Sequence, residues 1–140
     1  MTVYKSIGVT ATRDGLTALQ TKWLLEFLEK NRALTLHHGD CIGGDNEIAT
    51  MFSNHGSYVI AFPGSTVHKR ALCKANDLTF PWSDNLVRNR FIVNHVELLL
   101  AFPNSVSELQ RSGTWFTIRY ARKQRIPMFI INPNGEELFS

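Results

Sequence analysis

A doubly wound α/β fold of Rossmann type, with a mainly parallel sheet of about five strands and helices on both faces, is what this sequence predicts. Three observations carry that expectation. Short apolar runs at residues 6–9, 34–37, 58–62, 97–102 and 128–131 have the length and near-continuous apolar character of strands buried on both faces. Amphipathic segments at helical spacing separate most of them, which implies right-handed crossovers. The loops after the first, second and fourth runs are rich in Gly, Ser, Thr, Asp and Arg, as expected where strand ends meet a ligand.

The first run, Ser6 to Val9, leads into a polar loop from Thr10 to Gly15. Thr17 then stands where a helix cap belongs, and a helix is expected to about Asn31. Leu19, Trp23, Leu24, Phe27 and Leu28 share one face of it, so Trp23 reads as core. The second strand, Leu34 to His37, is followed by His38-Gly39-Asp40-Cys41-Ile42-Gly43-Gly44-Asp45-Asn46 and a helix carrying Ile48, Ala49, Met51 and Phe52. Tyr58 to Phe62 is the third strand. From Pro63 to Asp84 the pattern dissolves, a length that favours a short helix near residues 68–76 or a functional lid. A helix from Leu86 to His95 bears Arg88-Asn89-Arg90, and the fourth strand ends at Phe102. A helix over 114–124 and the strand Met128 to Ile131 complete the chain. With strand order 3-2-1-4-5, the three polar loops converge on one crevice.

Composition bounds the rest. The chain has 140 residues, 44% hydrophobic and 19% charged, which suits one domain over residues 1–140. A chain of this size buries roughly two thirds of its unfolded surface, enough for a core without staples. No apolar run approaches a membrane span and the N-terminus has no signal-peptide pattern, so a cytoplasmic protein without membrane partners is expected. Cys41 and Cys73 have no metal-like spacing and read as free thiols. The formal charge of +3 and pI near 9.1 suit an anionic ligand or nucleic acid without choosing between them.

Two stretches carry the chemistry. In Arg111-Ser112-Gly113-Thr114, Ser112 or Thr114 can cap a helix whose unpaired N–H groups and positive dipole end suit a phosphate, and Gly113 admits a ligand to the backbone. The turn holding Gly39, Asp40, Gly43, Gly44 and Asp45 repeats the logic at the next helix start. Thr10, Arg13, Arg88, Asn89, Arg111 and Thr117 join them as ligand-binding candidates, the arginines as phosphate clamps. Adjacent His37 and His38 point apart on a strand, which argues for hydrogen bonding and against a metal. Trp115 reads either as core or as a stacking platform. Arg119, Arg122, Lys123 and Arg125 suit a solvated helix end.

These residues resemble the SLOG superfamily, which joins the DNA-processing protein DprA to the Lonely Guy (LOG) phosphoribohydrolases. Gly39-Asp40-Cys41-Ile42-Gly43-Gly44-Asp45 resembles its first glycine motif. Arg88-Asn89-Arg90 looks like the Arg-Asn-Arg of DprA and the catalytic Arg region of LOG, and Ser112-Gly113-Thr114 with Thr117 and Ala121 is similar to the second glycine motif. The resemblance spans Ile7 to about Pro133 and is nearest to small stand-alone bacterial and phage members. It implies a Rossmann-like sheet, a nucleotide-type ligand and a homodimer or higher homo-oligomer; no separate cofactor is expected.

The departures shape the functional expectation. Where LOG enzymes carry the Glu that acts on the ribosyl bond, this chain has Thr117, which cannot ionise for such a step. The leading expectation is therefore a binding protein that senses or sequesters a nucleotide-derived molecule, such as an ADP-ribose-like or cyclic nucleotide messenger. The enzymatic alternative is a nucleotide N-glycosidase using Arg88 and Asp45. The third is DprA-like single-stranded DNA binding through Arg88, Arg90, Arg119 and Arg122, although no regular interleaving of aromatic and basic residues marks a DNA track.

Overall fold

The computed structural model describes residues 1–138. In chain order it contains β1 (Thr2–Ala11), α1 (Ala18–Lys30), β2 (Asn31–His38), α2 (Gly44–Asn54), β3 (Tyr58–Ala61), one 3-10 turn (Val67–Lys69), β4 (Leu78–Thr79), α3 (Asn85–Asn94), β5 (Leu98–Phe102), α4 (Gly113–Lys123), β6 (Met128–Ile131) and β7 (Glu137–Leu138). The sheet runs β4-β3-β2-β1-β5-β6-β7. Every neighbouring pair is parallel except β6 with β7. The five expected strands thus lie in the expected order, and the sheet has seven strands because a two-residue strand is added at each edge.

Alternation along β5 builds both layers at once. Leu98, Leu100 and Phe102 join Leu24, Phe27 and Leu28 of α1 and Ile48 and Phe52 of α2 in one core. Ala101 packs with Trp115, Ile118 and Ile130, and Leu99 with Val93 and Ala121, beneath α3 and α4. Each fully buried Leu, Ile or Phe contributes about 1.5–3 kcal/mol relative to exposure.

α1 begins with the reciprocal cap that Thr17 promises: its Oγ1 accepts from the Gln20 N–H, and the Gln20 side chain accepts from the Thr17 N–H. This cap turns Gln20 inward, where its amide donates to the carbonyls of Pro103 and Ile131 at 2.9 Å each. The core-facing ridge is consequently Gln20, Leu24, Phe27 and Leu28. Leu19, expected on that face, is 51% exposed. Trp23 is half-buried and stacks on Phe27 at 5.3 Å.

The segment from Pro63 to Asp84 forms no α-helix; beyond the 3-10 turn and β4 it is irregular. What orders it is Asp40, which is fully buried with φ of 54°. Its carboxylate accepts from the Cys73 N–H and the Asn76 Nδ2, both at 3.0 Å, and from the Arg70 guanidinium at 3.3 Å. The Asp40 carbonyl accepts from Ala71 N–H, and Ile42 N–H donates to the Lys69 carbonyl. His38 completes the post, with Nδ1 accepting from Asp40 N–H and Nε2 meeting Asn76 Oδ1 at 2.6 Å. These cross-links hold residues 69–77 as a strap against the β2–α2 turn and commit the Ala71 and Cys73 amides to Asp40. Burial by itself raises the Asp40 pKa, but the hydrogen bonds from Cys73 and Asn76 outweigh it and hold the carboxyl below its usual range.

Asp40→Ala leaves the Cys73 amide, the Asn76 amide and the Arg70 guanidinium without their acceptor. Destabilisation of about 2–4 kcal/mol in urea unfolding is expected, with faster tryptic cutting at Lys69, Arg70 and Lys74. An unchanged midpoint and an unchanged digest would refute the strap.

Candidate functional site

A crevice of about 510 Å³ opens beyond the carboxyl ends of β1, β2 and β5. It lies where the strand order reverses, because the chain leaves β1 toward β2 on one side and β5 pairs on the other. Five pieces of chain line it, Lys69 of the 3-10 turn among them. Thr10 to Arg13 come from the end of β1, Gly39, Cys41 and Asp45 from the β2–α2 turn, Asn85, Arg88 and Asn89 from α3, and Asn104, Leu109 and Arg111 to Thr114 from the β5–α4 loop. The three strand-end loops therefore meet over one cavity.

The two glycine-rich turns do different work. In the first, Asp45 Oδ2 accepts from the N–H groups of Gly39 and Cys41, and Gly44 N–H donates to the Thr12 carbonyl. Gly43 has φ of 89°, and a Cβ there would collide with the Arg13 carbonyl. Gly43 and Gly44 thus seat α2 against the β1 loop and do not line the crevice; their freedom serves chain packing. Asp40, also expected at the ligand, is consumed by the strap.

In the second turn, Ser112 Oγ accepts from Trp115 N–H at 3.2 Å and the Ser112 carbonyl from Phe116 N–H at 2.8 Å. The N–H groups of Gly113 and Thr114 have no acceptor among the described residues. A Cβ at Gly113 would touch nothing within 4 Å, so the protein leaves open space beside those amides. Thr117 does not line the crevice: it is buried, and its hydroxyl donates back to the Gly113 carbonyl at 2.9 Å. Trp115 belongs to the core and donates its indole N–H to Ser105 Oγ.

Charge is distributed unevenly. Arg13, Lys69, Arg88 and Arg111 line the crevice, and none joins the ion pairs found among the described residues, Arg70–Asp40, Arg119–Glu108 and Arg122–Glu108. Arg88 is 7% exposed, with Nη1 donating to the carbonyls of Gly39 at 2.6 Å and Phe62 at 3.3 Å, and Nε to Asn89 Oδ1 at 2.7 Å. Asp45 is the single carboxylate in the wall. Burial raises its pKa, against the lowering influence of His38, Arg88 and the two amides. Cys41 is pushed up to about 11 by burial and by Asp45, so its thiol stays protonated and is no nucleophile.

Several lining residues escaped the sequence reading, with Lys69, Asn85 and Asn104 among the polar ones. Lys69 reaches the crevice beside the Asp40-held strap, its carbonyl accepting from Ile42 N–H, and its linear hint was the basic run His68-Lys69-Arg70; Asn85 opens α3. A buried trio, His38, Asp40 and Cys73, places ligand-type atoms within 4.8 Å of one another. Both imidazole nitrogens and both carboxylate oxygens there are already hydrogen-bonded, and burial raises the Cys73 pKa, which suits a structural post better than a cation.

No family model and no curated protein sequence matches the chain. Solved structures do. The molybdenum cofactor binding protein from the phototrophic bacterium Rippkaea orientalis is similar with a TM-score of 0.68 and 19% identity over 91% of this chain and 76% of that one. TM1055 is similar with a TM-score of 0.62 and 13% identity, over 89% and 72% respectively. At these identities the likeness establishes a Rossmann-like α/β fold.

Proposed function

We propose that this chain is a SLOG-type binding protein that captures a nucleotide or nucleotide-derived molecule by its phosphate, to sense or sequester it, without catalysis. One observation carries the reading: Arg13, Lys69, Arg88 and Arg111 line a crevice in which, among the described residues, none has a carboxylate partner and Asp45, its pKa raised by burial, is the single acid. The open amides of Gly113 and Thr114 at the start of α4 add donors suited to phosphate oxygens. A homo-oligomer accompanies this reading, as the resemblance to the SLOG superfamily implies.

The enzymatic reading has its own support in Asp45. A carboxyl whose pKa burial raises, lining the crevice with Arg88, is the group this reading takes as the acid in N-glycosidic cleavage. Chromatography of nucleoside monophosphates after incubation separates the readings: no free base is expected, and base release abolished by Asp45→Asn would transfer the conclusion to a hydrolase. The DNA reading is weakened because Arg119 and Arg122 are both engaged by Glu108. No low-salt gel shift with single-stranded DNA is expected.

Calorimetry against nucleoside mono- and diphosphates, ADP-ribose and cyclic nucleotides should find at least one dissociation constant well below millimolar. Arg111→Ala, at an exposed position, should weaken it about tenfold. Failure of every ligand to bind tighter than millimolar would overturn the proposal.

Sulfate, a dianion across the accessible pH range, gives a second test. A bound anion favours protonated Asp45, so sulfate affinity should fall as pH rises through that carboxyl's elevated pKa. Asp45→Asn should flatten the profile, whereas an identical slope in the variant would exclude Asp45 as its source.

A further inference from the structure

A second cavity, of about 570 Å³, lies on another flank of α3. Asn85, Asn89 and Ile92 face the crevice, whereas Phe91 and His95 face this cavity, and Arg88 borders both. Its walls are aromatic. Phe62 and Phe80 stack at 4.9 Å with 8° between planes, Trp82 is 64% exposed, and Phe91 closes the side.

Two imidazoles supply the polarity, and hydrogen bonding fixes both tautomers. Thr35 Oγ1 donates to the Lys5 carbonyl, so toward His37 Nε2 at 3.5 Å it presents a lone pair, and Nε2 carries the ring proton. His37 Nδ1 is then an acceptor; it is buried and has no partner. Burial, then the nearby His95 and His38, lower this histidine to about 4, which keeps it neutral at physiological pH. His95 Nδ1 lies 3.1 Å from the Phe91 carbonyl, which can only accept, so Nδ1 carries the proton and Nε2 is the free acceptor. The cavity is thus lined by aromatic faces and two imidazoles, one of which holds a buried acceptor without a partner among the described residues.

We propose that this cavity binds a planar amino-heterocycle of aminopurine size, stacked among Phe62, Phe80 and Trp82, with its N–H groups directed to His37 Nδ1 and His95 Nε2. Aromatic walls favour a flat π-system over an aliphatic guest. His37 Nδ1 lacks a partner among the described residues, so a ring with N–H donors gains a hydrogen bond there that a ring without them does not. This site requires no phosphate and stands apart from the crevice reading.

The test is Trp82 fluorescence in the full chain, titrated with 9-methyladenine and with 9-methylpurine, which lacks every N–H donor. Trp82→Phe supplies the background from Trp23 and Trp115. Quenching by 9-methyladenine is expected, with about tenfold weaker binding of 9-methylpurine. His95→Ala should narrow that gap, and His37→Phe, if circular dichroism shows it folded, should close it. Arg111→Ala should leave both curves unchanged, so that failure here and failure of phosphate binding are told apart. Equal affinity for the two bases overturns the proposal. So does absence of quenching, or a concentration-dependent blue shift of Trp82 showing a second copy seated on the cavity.

Discussion

A guanidinium withdrawn from water, with no carboxylate in ion-pairing reach, sets the terms for the rest of this molecule. Arg88 is held by carbonyls of two different loops and by its neighbour Asn89. Those dipoles offset part of its desolvation, and Asp45 lies close enough to act on it electrostatically without forming an ion pair. The residual positive charge is presented to the crevice, where Arg13, Lys69 and Arg111 add to it. In Arg88 an anion entering there meets a partner whose desolvation has already been met in folding, the condition under which charge recognition is strongest.

The same bonds make the loops one body. Asp45 gathers the amides of Gly39 and Cys41, Gly44 donates to Thr12, and the Glu47 carboxylate accepts from Leu16 N–H. Asp40 extends the connection to the strap, and Arg88 ties α3 to the Gly39 carbonyl. The glycine-rich turn that resembles a phosphate cradle is therefore mainly a clamp between β1, β2 and α2. Amides without an acceptor among the described residues lie instead at the β5–α4 turn, on Gly113 and Thr114.

Fold class and strand order were legible because period-2 and period-3.6 patterns report burial directly. β4 and β7 were not, since two-residue strands pair at edges without any periodic signature of their own. Leu19 was misplaced because a capping box rotated Gln20 into the core, an effect that hydrophobicity alone does not encode. In the site, Thr10, Arg13, Gly39, Asp45, Arg88, Asn89, Arg111, Ser112, Gly113 and Thr114 converge as the strand-end argument requires. Asp40, Gly43, Gly44 and Thr117 do not line it. Each belongs to a motif beside the crevice, but its hydrogen bonds or its backbone angle commit it to neighbouring chain. Motif spacing locates a turn; it does not say which side of the turn the protein uses for itself.

One missing side chain decides how deep Arg88 sits. At Gly8 in β1, a Cβ would stand 3.1 Å from Ile92 Cγ2 and 3.2 Å from both Val96 methyls. α3 rests directly on the strand there, and its inner face of Arg88, Ile92 and Val93 is buried as a result. Any larger residue at position 8 would lift the helix by a few tenths of an ångström or more, in a core that transmits displacement. Such a lift acts on a 2.6 Å hydrogen bond to Gly39, and on the wall common to both cavities. Helix depth over β1 thus governs at once where the buried cation points and how wide the aromatic cavity opens, so the two flanks of α3 cannot be adjusted independently.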